Sequence, residues 1–136
     1  MESTRSSDPR SAPEPAGIVL VVDDDHEVRS HTARVLREGG CYVLEARSGP
    51  DALSQLSSDA AATALLVTNV VMPEMSGVEL ADEVHSLWPA VRVLLVSEPT
   101  RDEINPSDDD RDELLAKPFD EQQLLRAVRH ALRPAA

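Results

Sequence analysis

Five short aliphatic runs, each followed by a turn or by helical spacing, leave this chain few folds to choose from. They are Gly17 to Val22, Tyr42-Val43-Leu44, Ala64 to Thr68, Val91 to Val96 and Leu114-Leu115-Ala116. All five read as strands, the first fully buried and the third also buried. Between them lie segments with helical periodicity. Val28, Thr32, Val35 and Leu36 share one face of a first helix, which Gly39-Gly40 stops. Pro50 suits the first turn of a second helix, whose inner face is Ala52, Leu53 and Leu56. A third carries Val78, Ala81, Val84, Leu87 and Trp88 inward. A last helix begins at Asp120, with Gln123 at capping-box spacing, and buries Leu124, Leu125, Val128, Ala131 and Leu132. Strand-helix alternation of this kind predicts a parallel sheet covered on both faces, with right-handed crossovers. The expected architecture is α/β and flavodoxin-like: a doubly wound, five-stranded parallel sheet in the order 2-1-3-4-5.

The fourth helix of that series is expected to be short or missing. Residues 98–112 contain two prolines and one large apolar residue, Ile104, so no long amphipathic helix can form there. Asp108-Asp109-Asp110 falls in this loop and reads as a solvated charge run rather than a second metal site. Residues 1–16 lack apolar periodicity and are expected to be a disordered tail, leaving one domain over 17–133.

Polar residues stand where the strands end. Asp23 and Asp24 follow the first, Asn69 the third, Ser97 the fourth and Lys117 the fifth. In the expected order the first and third strands are neighbours, so Asp23, Asp24 and Asn69 should meet at the carboxyl rim, where sites form in open α/β sheets. Clustered carboxylates attract a hard divalent cation, and Mg²⁺ favours oxygen ligands. A lysine and a hydroxyl opposite can hold phosphoryl oxygens. Each polar residue alone is also explained as a cap of the next helix, but four such positions on one rim argue for a site. After Asn69, Met72-Pro73 forces an extended turn and Gly77 permits a tight helix entry.

Composition removes several classes of function. The formal charge is −12 over 136 residues, with no basic patch for nucleic acid and little affinity for an anionic membrane surface. One Trp, one Tyr and one Phe give no base-stacking platform. No apolar run spans a bilayer, and the polar, proline-rich start is unlike a signal peptide. The single cysteine, Cys41, fits a reducing cytosol and reads as a buried structural thiol, so a cytoplasmic location is expected.

With these residues in place, the chain resembles the receiver domain of two-component response regulators. The likeness covers residues 17–133. It rests on Val21-Val22-Asp23-Asp24, on Met72-Pro73 and Gly77 at the right distance from Asn69, on Ser97, and on Lys117-Pro118-Phe119. The resemblance implies Mg²⁺-dependent phosphoryl transfer from a histidine kinase to an aspartate. It makes Asp23 and Asp24 the metal-binding acidic pair, Val71 the carbonyl ligand, Ser97 the switch hydroxyl and Lys117 the phosphate-binding lysine. It also implies a cis Lys117-Pro118 bond.

The sequence departs from that pattern at the phosphoacceptor, which is Asn69 instead of aspartate. A carboxamide is a poor nucleophile without charge and cannot form the usual acyl phosphate. It keeps an oxygen able to ligate a metal, but the set Asp23, Asp24, Asn69 and Val71 has lost one negative charge, so weaker Mg²⁺ binding is expected. Leu114 replaces the usual switch aromatic, and Glu98 brings bulk and charge where a small residue is usual. Either a single change at Asn69 freezes an otherwise active receiver, or the chain is natively a pseudo-receiver, a constitutive interaction module. The accompanying changes favour the native account. No attached output domain is expected after the last helix, so signalling is expected to pass through a partner, a histidine kinase or another signalling protein.

An enzyme is not expected. Haloacid-dehalogenase-type phosphatases require an Asp-x-Asp pattern with a following Thr or Val, and a flavodoxin-type FMN site requires a Ser/Thr/Gly-rich loop; Asp23 to Glu27 gives the aspartates of the first without the rest, and the loop of the second is absent. His26, His31, His85 and His130 lack metal-ligand spacing and read as solvated surface residues, with His26 nearest the acidic cluster. Met72 and Met75 are expected to shape the loop after Asn69.

Overall fold

The computed structural model describes residues 17–98 and 112–133. Strands β1 (Ile18–Val22), β2 (Tyr42–Ala46), β3 (Thr63–Asn69), β4 (Arg92–Ser97) and β5 (Asp112–Ala116) alternate with helices α1 (His26–Glu38), α2 (Gly49–Asp59), α3 (Gly77–Leu87) and α4 (Glu121–Leu132). A 3₁₀ turn, Ala60–Ala62, leads into β3. The five strands form one parallel sheet in the order β2-β1-β3-β4-β5, the flavodoxin-like order expected. The segment expected to carry the short or missing helix between β4 and β5, the Asp108–Asp110 run and the expected tail lie outside the described residues.

The strand pleat sends alternate side chains to opposite faces, and each face has its own core. Leu20, Val22, Leu66, Val93 and Leu95 pack with Ala52 and Leu56 of α2 and Leu80, Ala81 and Val84 of α3. Val19, Val21, Leu65, Val67 and Leu94 pack with Ala33, Val35 and Leu36 of α1 and Leu124, Val128 and Ala131 of α4. Each fully buried leucine, Leu66 among them, contributes about 1.5–3 kcal/mol. Burial on both faces is why these strands read as unbroken aliphatic runs.

The helix ends follow local chemistry. Gly40 takes a φ of 98°, the left-handed conformation that ends α1. Asp120 and Gln123 form the expected capping box. Ser76 and Glu79 form a second one at the start of α3. Arg92 donates to the Ala131 carbonyl at 2.8 Å and to the Arg133 carbonyl, closing the end of α4.

Two helix faces differ from expectation. Val28 is 42% exposed, and Ala33 is buried beside Thr32 and Leu36 instead. Val28 sits in the first turn of α1, where the helix has only just left the strand ends. Leu87 is 55% exposed, while Leu80 is fully buried. Leu87 is the last residue of α3, and Trp88 beyond it packs against the core in its place. Cys41 is only half-buried, packed against the α1–α4 layer. His26, His31 and His130 are exposed, but His85 is half-buried.

Candidate functional site

The carboxyl ends of β1, β3, β4 and β5 bring the polar residues to one rim. Val22 pairs with Thr68, Asn69 with Val96, and Ser97 with Ala116. Asp23 and Asn69, each one residue past the Val22–Thr68 rung, are therefore side by side on adjacent strands, and Lys117 is one residue past the rung at Ser97. The Lys117 amide donates to the Ser97 carbonyl at 2.7 Å. The Lys117-Pro118 bond is cis.

Asn69 makes the central contacts. Its Oδ1 accepts from Lys117 Nζ at 3.2 Å, and its Nδ2 donates to the Val71 carbonyl at 2.9 Å. The chemistry of the partners fixes this orientation, because an ammonium only donates and a carbonyl only accepts. Thr68 Oγ1 donates to the Asn69 carbonyl at 3.0 Å.

The chain beyond Asn69 turns tightly. Gly77 N–H donates to the Val70 carbonyl at 2.7 Å, and Met75 N–H to the Pro73 carbonyl at 2.7 Å. Between these two, Glu74 has a φ of 71°, which is uncommon for a residue with a Cβ. Gly77 is required for space: a Cβ there would lie 2.2 Å from the Asn69 carbonyl oxygen. Met72 is buried and Met75 packs on the same core, so both shape this loop as expected.

Asp23 is buried and Asp24 is exposed. Burial pushes the Asp23 carboxyl above its ordinary range, and Asp24 and Asp25 push the same way. The Asp25 N–H, which donates to Asp23 Oδ1 at 3.0 Å, and the nearby Lys117 charge pull it partly back. Asp25 caps α1, its carboxylate accepting from the Glu27 and Val28 amides. Ser97 is buried, whereas Val71 is 61% exposed on its loop. Leu114 stands apart from the bonded group, on β5 opposite Leu95, and is 46% exposed. Glu98 is half-buried at the end of the described span.

Arg29 was not legible as part of this rim. It donates to the Asp23 carbonyl at 2.8 Å and to Glu45 Oε1 at 3.2 Å, while Arg37 reaches Glu45 Oε2 at 3.3 Å. The available signal was Glu45 itself, a lone charge inside a strand, since a part-buried charge calls for a partner. Arg29 also donates to His26 Nδ1 at 2.9 Å.

These donors do not fit a Mg²⁺ ion as they are arranged. Mg²⁺ requires a set of free oxygen ligands. The Val71 carbonyl holds the Asn69 amide, and the Asn69 oxygen holds Lys117. Only Asp23 and Asp24 remain as anionic donors. Among the described residues, no group of three or more His, Cys, Asp or Glu could hold a metal.

A doubly wound sheet with paired acidic residues, a rim lysine and a cis proline after it defines a receiver-type signalling domain. The chain belongs to the response regulator receiver domain family, which matches residues 19–129. It is 30% identical over 116 residues to the response regulator receiver protein CpdR of Brucella abortus (strain 2308), covering 84% of this chain and 95% of that protein. It is 34% identical over 119 residues to the response regulator MprA of Mycobacterium avium (strain 104), covering 85% of this chain. The chain spans half the length of MprA and 12% of the sensor kinase CckA of Brucella abortus, with which it shares 34% identity. Among solved structures it is similar to the receiver domain of the hybrid histidine kinase CckA, at 31% identity and a TM-score of 0.73, covering 86% of this chain and all of that one. Vibrio cholerae CheY4 superposes with a TM-score of 0.72 at 25% identity, covering 87% of this chain and all of that one.

Proposed function

We propose that this receiver domain, residues 17–133, acts in phosphorelay signalling with Asn69 at the phosphoacceptor position and is not phosphorylated in the usual way. The observation that carries this reading is the Asn69 carboxamide at the carboxyl end of β3, with Lys117 Nζ on its oxygen. An aspartate there would offer an anionic nucleophile beside the lysine; the carboxamide offers a neutral one that cannot give an acyl phosphate. Receiver domains normally bind Mg²⁺. Here Mg²⁺ has to rearrange the Asn69 contacts before it can bind, so binding through Asp23, Asp24, Asn69 and Val71 is weakened. Ser97 and Lys117 keep the places of the switch hydroxyl and the phosphate-binding lysine, with Leu114 replacing the switch aromatic.

The partner is a histidine kinase or another signalling protein, met in the cytoplasm. The charge of −12 speaks against nucleic acid and against anionic membranes. Among the described residues, no helix is long and apolar enough to cross a membrane.

The second reading is a pseudo-receiver: a constitutive interaction module that binds its partner through the side carrying α4. It is favoured by the closed contacts of Asn69, which need no phosphoryl group. A pull-down from the source proteome, run with and without acetyl phosphate and Mg²⁺, tests both. A partner retained equally in all conditions supports the module. A partner that binds only with phosphodonor contradicts both readings, because each leaves this chain unmodified.

A further inference from the structure

A carboxylate at position 69 could accept from Lys117 but would set an anionic oxygen against the Val71 carbonyl. Two acceptors facing each other repel unless a cation lies between them. The Asn69 carboxamide removes that conflict with its own N–H, which donates to the Val71 carbonyl at 2.9 Å. Its other end accepts the Lys117 ammonium at 3.2 Å. One neutral side chain thus ties the end of β3 to the following loop and to the end of β5.

The loop it reaches is also held by backbone bonds and by Met75. Gly77 N–H bonds the Val70 carbonyl, Met75 N–H bonds the Pro73 carbonyl, and the Met75 side chain lies against Gly49 at the start of α2. Val71, the residue Asn69 holds, is exposed. The contact therefore fixes part of the surface next to the rim.

We propose that the Asn69 carboxamide is a built-in substitute for a divalent cation, a clasp that holds the β3–α3 loop in one arrangement whether or not Mg²⁺ is present. The proposal rests on the reading of Asn69 as the substituted acceptor and adds what that substitution does. The clasp competes with metal: its amide takes one lone pair of the Val71 carbonyl and sets N–H donors where a cation would sit, while the Asn69 oxygen is held by Lys117. The surface around Val71 then stays the same across cellular Mg²⁺ concentrations.

The test is amide NMR of the full chain, chelated and then titrated with MgCl₂, beside the Asn69→Asp variant. The resonances to follow are the Val70–Gly77 backbone amides and the Asn69 side-chain NH₂. In chelator, the Asn69 NH₂ pair should exchange with solvent more slowly than a free carboxamide, and the loop amides should be sharp. Mg²⁺ should move the loop of Asn69→Asp at a midpoint at least about tenfold lower than in this chain. The Lys117→Met variant should speed exchange of the Asn69 NH₂ pair about fivefold, the effect of losing one hydrogen bond from the clasp. Midpoints within about twofold of each other, or an Asn69 NH₂ that exchanges like a free carboxamide, would overturn the clasp. Those results leave the phosphorylation reading standing, since that is read separately by mass.

Discussion

The Lys117 ammonium donates to Asn69 Oδ1 at 3.2 Å, joining two strand ends that lie 48 residues apart in the chain. The same Asn69 side chain turns its amide to the Val71 carbonyl. The lysine therefore faces a neutral group. On the proposed reading, Asn69 fills the acceptor position with a side chain that is no nucleophile.

Gly77 leaves the least room for a Cβ of the described glycines. A Cβ there would meet the Asn69 carbonyl oxygen at 2.2 Å and the Asn69 carbonyl carbon at 3.0 Å, and neither can move without shifting β3. Gly77→Ala should lower stability by about 1–3 kcal/mol in urea denaturation. At Gly49 the crowding atoms belong to the Met75 side chain, at 2.7 to 3.0 Å, and a methionine can yield. Gly49→Ala should therefore cost less than Gly77→Ala; the reverse order would show that the β3–α3 turn is not the tighter fit.

Arg29 links α1 to β2 through Glu45 and holds the Asp23 carbonyl. Its side chain is 13% exposed and that of Glu45 28%. Arg29→Met should cost about 1–3 kcal/mol, since hydrogen bonds to a charged, mostly covered group are lost. A double-mutant cycle with Glu45→Gln should show favourable coupling of about 0.5–3 kcal/mol. Arg29→Lys should recover little of it, because one ammonium cannot reproduce the guanidinium fork toward both partners. Additive single effects would mean the pair is only a surface contact.

Burial pushes the Cys41 thiol above its ordinary range, with Arg129 pulling it partly back. The folded protein therefore favours the neutral thiol. The stability this adds is complete below the unfolded thiol pKa and is lost as pH rises through the higher folded value. At mildly alkaline pH, iodoacetamide should label Cys41 several-fold more slowly in the native chain than in urea. Equal rates would show that the half-buried site does not protect the thiol.

The sheet was readable because its central strands, β1, β3 and β4, are buried on both faces, so composition alone marks them, while the edge strands β2 and β5 keep only short apolar runs and expose Tyr42 and Leu114. The rim was readable too, since Asp23, Asn69, Ser97 and Lys117 each interrupt an apolar run at its end. Helix faces were read less well. A 3.6-residue period marks Val28 and Leu87 as inward, yet both stand at helix ends, where the chain is entering or leaving the layer. The capping box of α3 is Ser76 and Glu79, with Gly77, a weak helix former, as the first residue of the helix between them. The bonds of Asn69 could not be read in advance. They depend on which way a carboxamide turns, and that is set by Lys117, distant in sequence, and by a backbone carbonyl with no sequence signature.

Intact mass after incubation with acetyl phosphate and Mg²⁺, for this chain and for Asn69→Asp side by side, tests the central claim most directly. The account predicts that this chain stays unmodified and that the variant gains one phosphoryl group, because the lysine, the acidic pair and the rim are already in place. A phosphoryl group on this chain itself would contradict the account. An unmodified variant would show that the rim beyond Asn69 has also lost its chemistry, leaving only the interaction module.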